Sequence, residues 1–130
     1  MPTQVIHTEK APAAIGPYSQ AVRVNLATAD QMIFCSGQIG LDPLTGNLRE
    51  GFDAQVDQAL ANLQAVIAAA DGHLGGIVKL TLFLTDLANF AVANAKMEAL
   101  LDKPYPARST VGVASLPKGA LFEIEAIVVR

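Results

Sequence analysis

The chain has 130 residues, 16% charged and 52% apolar before glycine is counted, against about 25% charged and about 45–50% apolar with glycine included in ordinary globular chains. This length suits one domain over residues 1–130, and the apolar surplus exceeds what so short a chain hides in its own core, which points to an obligate oligomer. A net charge of −3 and an isoelectric point near 5.2 exclude a long-range pull toward phosphate backbones or anionic lipid, so neither nucleic acid nor a membrane surface is expected as a partner.

The opening segment MPTQVIHTEKAPAAIGPYSQ has no basic stretch followed by an apolar run, and no segment approaches the roughly 20 apolar residues of a membrane span, so a cytoplasmic location is expected. QVIH and QAVRVNL read as short strands. Between them KAPAAIGPYS is broken by its Ala-Pro and Gly-Pro steps, which makes Tyr18 a loop residue. QMIFCSGQIGL reads as a buried strand ending at Gly37, and DPLTGN carries proline and glycine where a tight turn wants them. The single cysteine, Cys35, rules out an internal disulfide and a cysteine-cluster metal site and reads as a small buried strand residue. His7 and His73 stand at no ligand spacing.

From Asp53 to Ala70, Val56, Leu60, Leu63 and Ile67 recur at helical spacing, with Ala59, Val66 and Ala70 widening the stripe, and Asp71-Gly72 ends the helix. GGIVKLTLFLT follows as a strand with Val78, Leu80, Leu82 and Leu84 on one face. Thr85-Asp86 offers a cap for a second helix, LANFAVANAKMEALL, whose stripe runs through Phe90, Met97 and Leu101. Asn94 lies four residues beyond Phe90, so its amide faces partly buried surroundings and needs a partner. Pro104 and Pro106 stop this helix, and RSTVGVA and ALFEIEAIVVR read as the last two strands. The order predicts an α+β two-layer domain, a mixed sheet with two helices on one face.

Three charges interrupt these apolar closing strands. Alternation puts Arg108 and Thr110 on one face of their strand, and Leu121, Glu123, Glu125, Ile127 and Val129 on one face of the last. With the helices on one side of the sheet, the charges are expected on the other, at an oligomer interface that encloses a polar cavity. Two uses of them remain open. Arg108 can form an interface ion pair with a glutamate, or its planar guanidinium can grip a substrate carboxylate through two parallel hydrogen bonds while an ionised glutamate holds water or moves a proton.

PARSTVGVASLPKGALFEIEA resembles the signature of the RidA/YjgF/UK114 family of reactive-imine deaminases, and the likeness extends through APAAIGPYSQAV, SGQIGLDPLTGNL, GGIVKLTLFLTDLANFAVAN and EIEAIVVR, nearly the whole chain. The resemblance implies a chorismate-mutase-like fold assembled as a homotrimer, with clefts between subunits. It also implies hydrolysis of 2-imino acids such as 2-iminopropanoate and 2-iminobutanoate, and their enamines, to 2-keto acids and ammonia without a metal or organic cofactor. On this resemblance Arg108 binds the substrate carboxylate and Glu123 positions the attacking water. Tyr18, contributed across an interface, lines the cleft with Ser36, Gly37 and Asn94, and Thr110 stands where many relatives carry cysteine, so thiol chemistry is not available there. A few extra residues in NLATADQ and a shortened LLDKPYPARS leave the cleft rim, and with it substrate size, open. A non-catalytic carboxylate-binding trimer would use the same cleft. A ribonuclease role, attached to relatives, is opposed by the acidic charge balance.

Overall fold

The structure, a computed structural model, describes residues 2–130. In chain order the elements are β1 (Thr3–Ile6), β2 (Ala21–Val24), β3 (Met32–Ile39), α1 (Phe52–Ala69), β4 (Ile77–Leu84), α2 (Phe90–Leu100), β5 (Ala107–Gly112) and β6 (Phe122–Val129), with three short 3-10 turns between them. Four strands form a mixed sheet in the order β3-β6-β4-β5, in which the adjacent pair β4 and β5 is parallel, as the α2 crossover between them requires, and β6 runs antiparallel to both its neighbours. Both helices cover one face. Val56, Leu60, Leu63 and Ile67 of α1 and Ala93 and Met97 of α2 pack on Leu80, Leu82, Leu84, Phe122, Ile124 and Val128 of the sheet. The α+β architecture expected from the sequence is therefore present.

Several local expectations are corrected. β1 and β2 do not join the main sheet but pair with each other as a two-stranded ribbon. The chain entering β2 is fastened beside β5 by a parallel bridge between Ser19 and Ala107: the Ser19 N–H donates to the Pro106 carbonyl at 2.8 Å, and the Ser19 hydroxyl donates to the Tyr105 carbonyl. β3 runs past Gly37 to Ile39 through a bulge, and only one of its faces is buried. Cys35 is covered, whereas Met32 and Phe34 on the other side are 48% and 70% exposed.

Val66 falls outside the buried stripe of α1, on its exposed side. The helix ends with Asp71, not a glycine, in the left-handed region (φ 58°), and the Gly72 N–H closes back on the Ile67 carbonyl at 2.9 Å. Asp86 caps a 3-10 turn, Leu87–Asn89, by accepting the Ala88 N–H at 2.9 Å, so α2 proper begins only at Phe90. That residue is 38% exposed at the rim. Ala93 and Met97 carry the buried stripe, and Leu101 lies beyond the helix end.

One buried amide ties the start of β6 to the helix layer. Gln55 of α1 accepts the Leu121 N–H at 2.8 Å and donates to the Arg49 carbonyl at 3.0 Å, which satisfies both ends of its side chain. The strand leading to Glu123 is thus held two residues before the carboxylate. The sheet face away from the helices stays uncovered in the single chain, exposing Met32, Phe34 and Val111 beside Glu125.

Candidate active site

Strand register decides which way each charged side chain points. Arg108 pairs with Leu80 and Thr110 with Leu82, and neighbours in register project to the same side of a sheet. Leu80 and Leu82 are wholly buried beneath the helices, so Arg108 and Thr110 turn toward the helix layer, not toward the open face where they were expected with the glutamates. Only the glutamates are on that open face: Glu123 pairs with Phe83 and Glu125 with Thr81.

Around Arg108 three elements converge. Its Nη1 donates to Asn94 Oδ1 of α2 at 2.7 Å. Its guanidinium carbon is 5.1 Å from the Tyr18 ring centroid and 5.6 Å from that of Phe90, within cation–π range of both. Tyr18 meets the Arg108 of its own chain, where a contribution across an interface was expected, and is brought there by the Ser19 bridge to β5 and by the close turn in which its own N–H bonds the Gly16 carbonyl at 2.7 Å. Gly16 lies close beside the guanidinium, where a Cβ would stand in ordinary contact with Arg108 Nη2 at 3.5 Å. Burial pulls the guanidinium pKa below its ordinary value, with Tyr18 opposing the shift, and the group still stays cationic across the physiological range. The Thr110 hydroxyl, on the same side of β5, is buried and has no hydrogen-bond partner among the described residues.

A second group gathers on the open face. The Glu123 side chain lies across Gly37, where a Cβ would come within 2.5 Å of Glu123 Oε2, so glycine is what leaves the carboxylate its place. Ser36 is exposed on the same side of β3 as Met32 and Phe34. Tyr18, Asn94, Arg108 and Thr110 therefore form one set, and Ser36, Gly37 and Glu123 another. The sets lie on opposite sides of the sheet, and their strands β5 and β6 are two spacings apart, about 10 Å. Among the described residues neither Arg108, Glu123 nor Glu125 joins an ion pair within the chain. Phe90 was missed as a site residue. Its helical spacing to Asn94 reads as core from sequence, and the signal that distinguishes it, an aromatic ring one turn from a polar residue that holds an arginine, appears only once β5 is known to pass beneath α2.

The chain is thus a small α+β protein with an arginine-centred cluster and a glutamate-centred cluster on opposite faces of one sheet. A family model described as endoribonuclease L-PSP matches residues 8–130. The chain is 47% identical over 131 residues to a 2-iminobutanoate/2-iminopropanoate deaminase of Salmonella typhimurium, with 98% of each chain covered. Among solved structures it resembles RidA from the Antarctic bacterium Psychrobacter (50% identity, TM-score 0.76, 98% of this chain and 99% of that one) and Escherichia coli TdcF with bound serine (43% identity, TM-score 0.74, 98% of each). The chain belongs to the RidA/YjgF/UK114 family.

Proposed function

We propose that this protein hydrolyses small 2-imino acids, 2-iminopropanoate and 2-iminobutanoate with their enamine tautomers, to 2-keto acids and ammonia, in clefts formed between the subunits of a homotrimer. The observation that carries the reading is the division of the site. Arg108, cationic and held by Asn94 and two aromatic rings, is complementary to a small carboxylate, while Glu123 and Glu125 of β6, two strands away, project from the other side of the sheet. A second copy that lays its Glu123 face against the Arg108 edge of the first supplies the missing carboxylate. The same contact covers Met32 and Phe34.

In the reaction Arg108 holds the substrate carboxylate through two charge-assisted hydrogen bonds, which sets the C2 carbon beside a water on Glu123 of the neighbouring copy. Glu123 takes one proton from that water as its oxygen bonds to C2 and passes it to the imine nitrogen, giving a carbinolamine. Glu123 then takes the carbinolamine hydroxyl proton and delivers it to the amino nitrogen as the C–N bond breaks, so both water protons leave on ammonia and the keto acid carbonyl forms. Because an imino acid is already electrophilic, positioning suffices and no covalent nucleophile is required. The iminobutanoate deaminase name of the Salmonella relative and the serine bound to TdcF both support a small amino-acid-like ligand. The endoribonuclease description of the family model does not suit this chain, whose net charge is −3.

The test generates 2-aminoacrylate with a serine dehydratase in the presence of semicarbazide. Keto acid release faster than in water supports the deaminase reading. Carboxylate binding by calorimetry without any acceleration would instead support a binding protein that uses the same cleft.

Gly37→Ala tests the Glu123 half of the cleft without replacing a charged group. The added methyl collides with the Glu123 carboxylate, and a displacement of about 1 Å at a reacting centre costs up to about 10²-fold in rate. Steady-state assays are expected to show a fall in kcat on this scale, and an unchanged kcat would remove Glu123 from the reacting centre.

A further inference from the structure

Phe90 and Asn94 occupy successive turns of one face of α2, and both reach the same guanidinium. Asn94 fixes a single nitrogen, Nη1, which leaves the plane free to swing about that bond. A ring 5.6 Å from the guanidinium carbon restrains the swing, because the charge is attracted to the ring face and the planar, weakly hydrated group loses little by leaving water there. The ring itself is 38% exposed, more than a core phenylalanine needs, and Ala93 and Met97 already carry the buried stripe of this helix. Its position is therefore not explained by packing alone.

We propose that Phe90 is a positioning residue that holds the Arg108 guanidinium in its carboxylate-receiving orientation before substrate arrives, so that less conformational freedom is lost on binding. This rests on the carboxylate-binding reading of Arg108 and adds to it a residue that never needs to touch the substrate. Tyr18, on the loop tied to β5, supplies the other aromatic contact, and Phe90 adds one from the helix layer, so the guanidinium is flanked by rings from two separate elements.

The effect should fall on binding and not on the chemical step. Phe90→Leu, which keeps apolar bulk, is expected to raise KM and to weaken 2-oxobutanoate binding in calorimetry about fivefold, with kcat within about twofold of wild type. Phe90→Tyr, which keeps a ring face, restores both. In an Arg108→Lys background, where no planar group remains to be oriented, Phe90→Leu adds less than about twofold in the same titration. An equal loss in that background, or no loss in the Arg108 protein, overturns the positioning role. Wild-type 2-oxobutanoate binding, read in the same series and abolished by Arg108→Ala, reports separately on the carboxylate site, so a failure of that reading is distinguishable from a failure of Phe90.

Discussion

Arg108→Ala lowers kcat/KM for 2-iminobutanoate hydrolysis by about 10²–10⁴-fold, since each hydrogen bond to a charged group that is lost costs about 1.5–3 kcal/mol and the fork supplies two. The loss appears in both terms. KM rises because the carboxylate has no anchor, and kcat falls because an unanchored substrate no longer holds C2 beside the water. Light scattering should give the same assembly mass for variant and wild type, because Arg108 makes its contacts to Asn94, Tyr18 and Phe90 within its own chain. Arg108→Lys keeps the charge but loses the planar fork, so it is expected to lie between the two. Spontaneous hydrolysis of the imine sets the floor of the assay, and keto acid release under semicarbazide competition is the readout. A variant that stays within about threefold of wild type removes Arg108 from substrate binding.

The second large effect separates chemistry from binding. Glu123→Gln is nearly isosteric and keeps a side chain over Gly37, but an amide does not accept the proton released by the attacking water. A fall in kcat of about 10²–10⁴ is expected, the usual range for a general base, with 2-oxobutanoate affinity within about threefold of wild type. Equal losses of binding and turnover would give Glu123 a structural role. Unaltered turnover would leave Arg108 as the centre of a cleft that needs no carboxylate from the open face.

Much of the architecture is legible in the order of residues, and the limits of that legibility are physical. Leu80, Leu82 and Leu84 alternate along β4, and α1 repeats Val56, Leu60, Leu63 and Ile67, so both elements declare their buried sides locally, although a register shift at the start of β4 puts Ile77 and not the expected Val78 in the core cluster. Arg108 does not. Alternation shows that it shares a side with Thr110, but which side depends on the register with β4, a non-local property, and the pairing of Arg108 with Leu80 turns it to the helices. The short strands β1 and β2 likewise carry no local sign that they pair with each other and not with the main sheet. Phe90 looks like core because helical spacing cannot tell a buried stripe from a rim at the first residue of a helix. Gly37 belongs to the same class: its need to be glycine comes from a carboxylate 86 positions further along the chain, at Glu123.

The separation of the two clusters leads to the most direct test of the central claim, that Arg108 of one copy works with Glu123 of another. Arg108→Ala and Glu123→Gln chains, each inactive alone, are co-expressed with different tags, and the mixed assemblies are purified by both tags in turn and assayed. Each mixed trimer then has one cleft in about three that pairs an intact Arg108 with an intact Glu123, and a substantial fraction of wild-type activity returns. If both groups acted from within one chain, every cleft would carry one defect, and mixed assemblies as inactive as their parents would contradict the account.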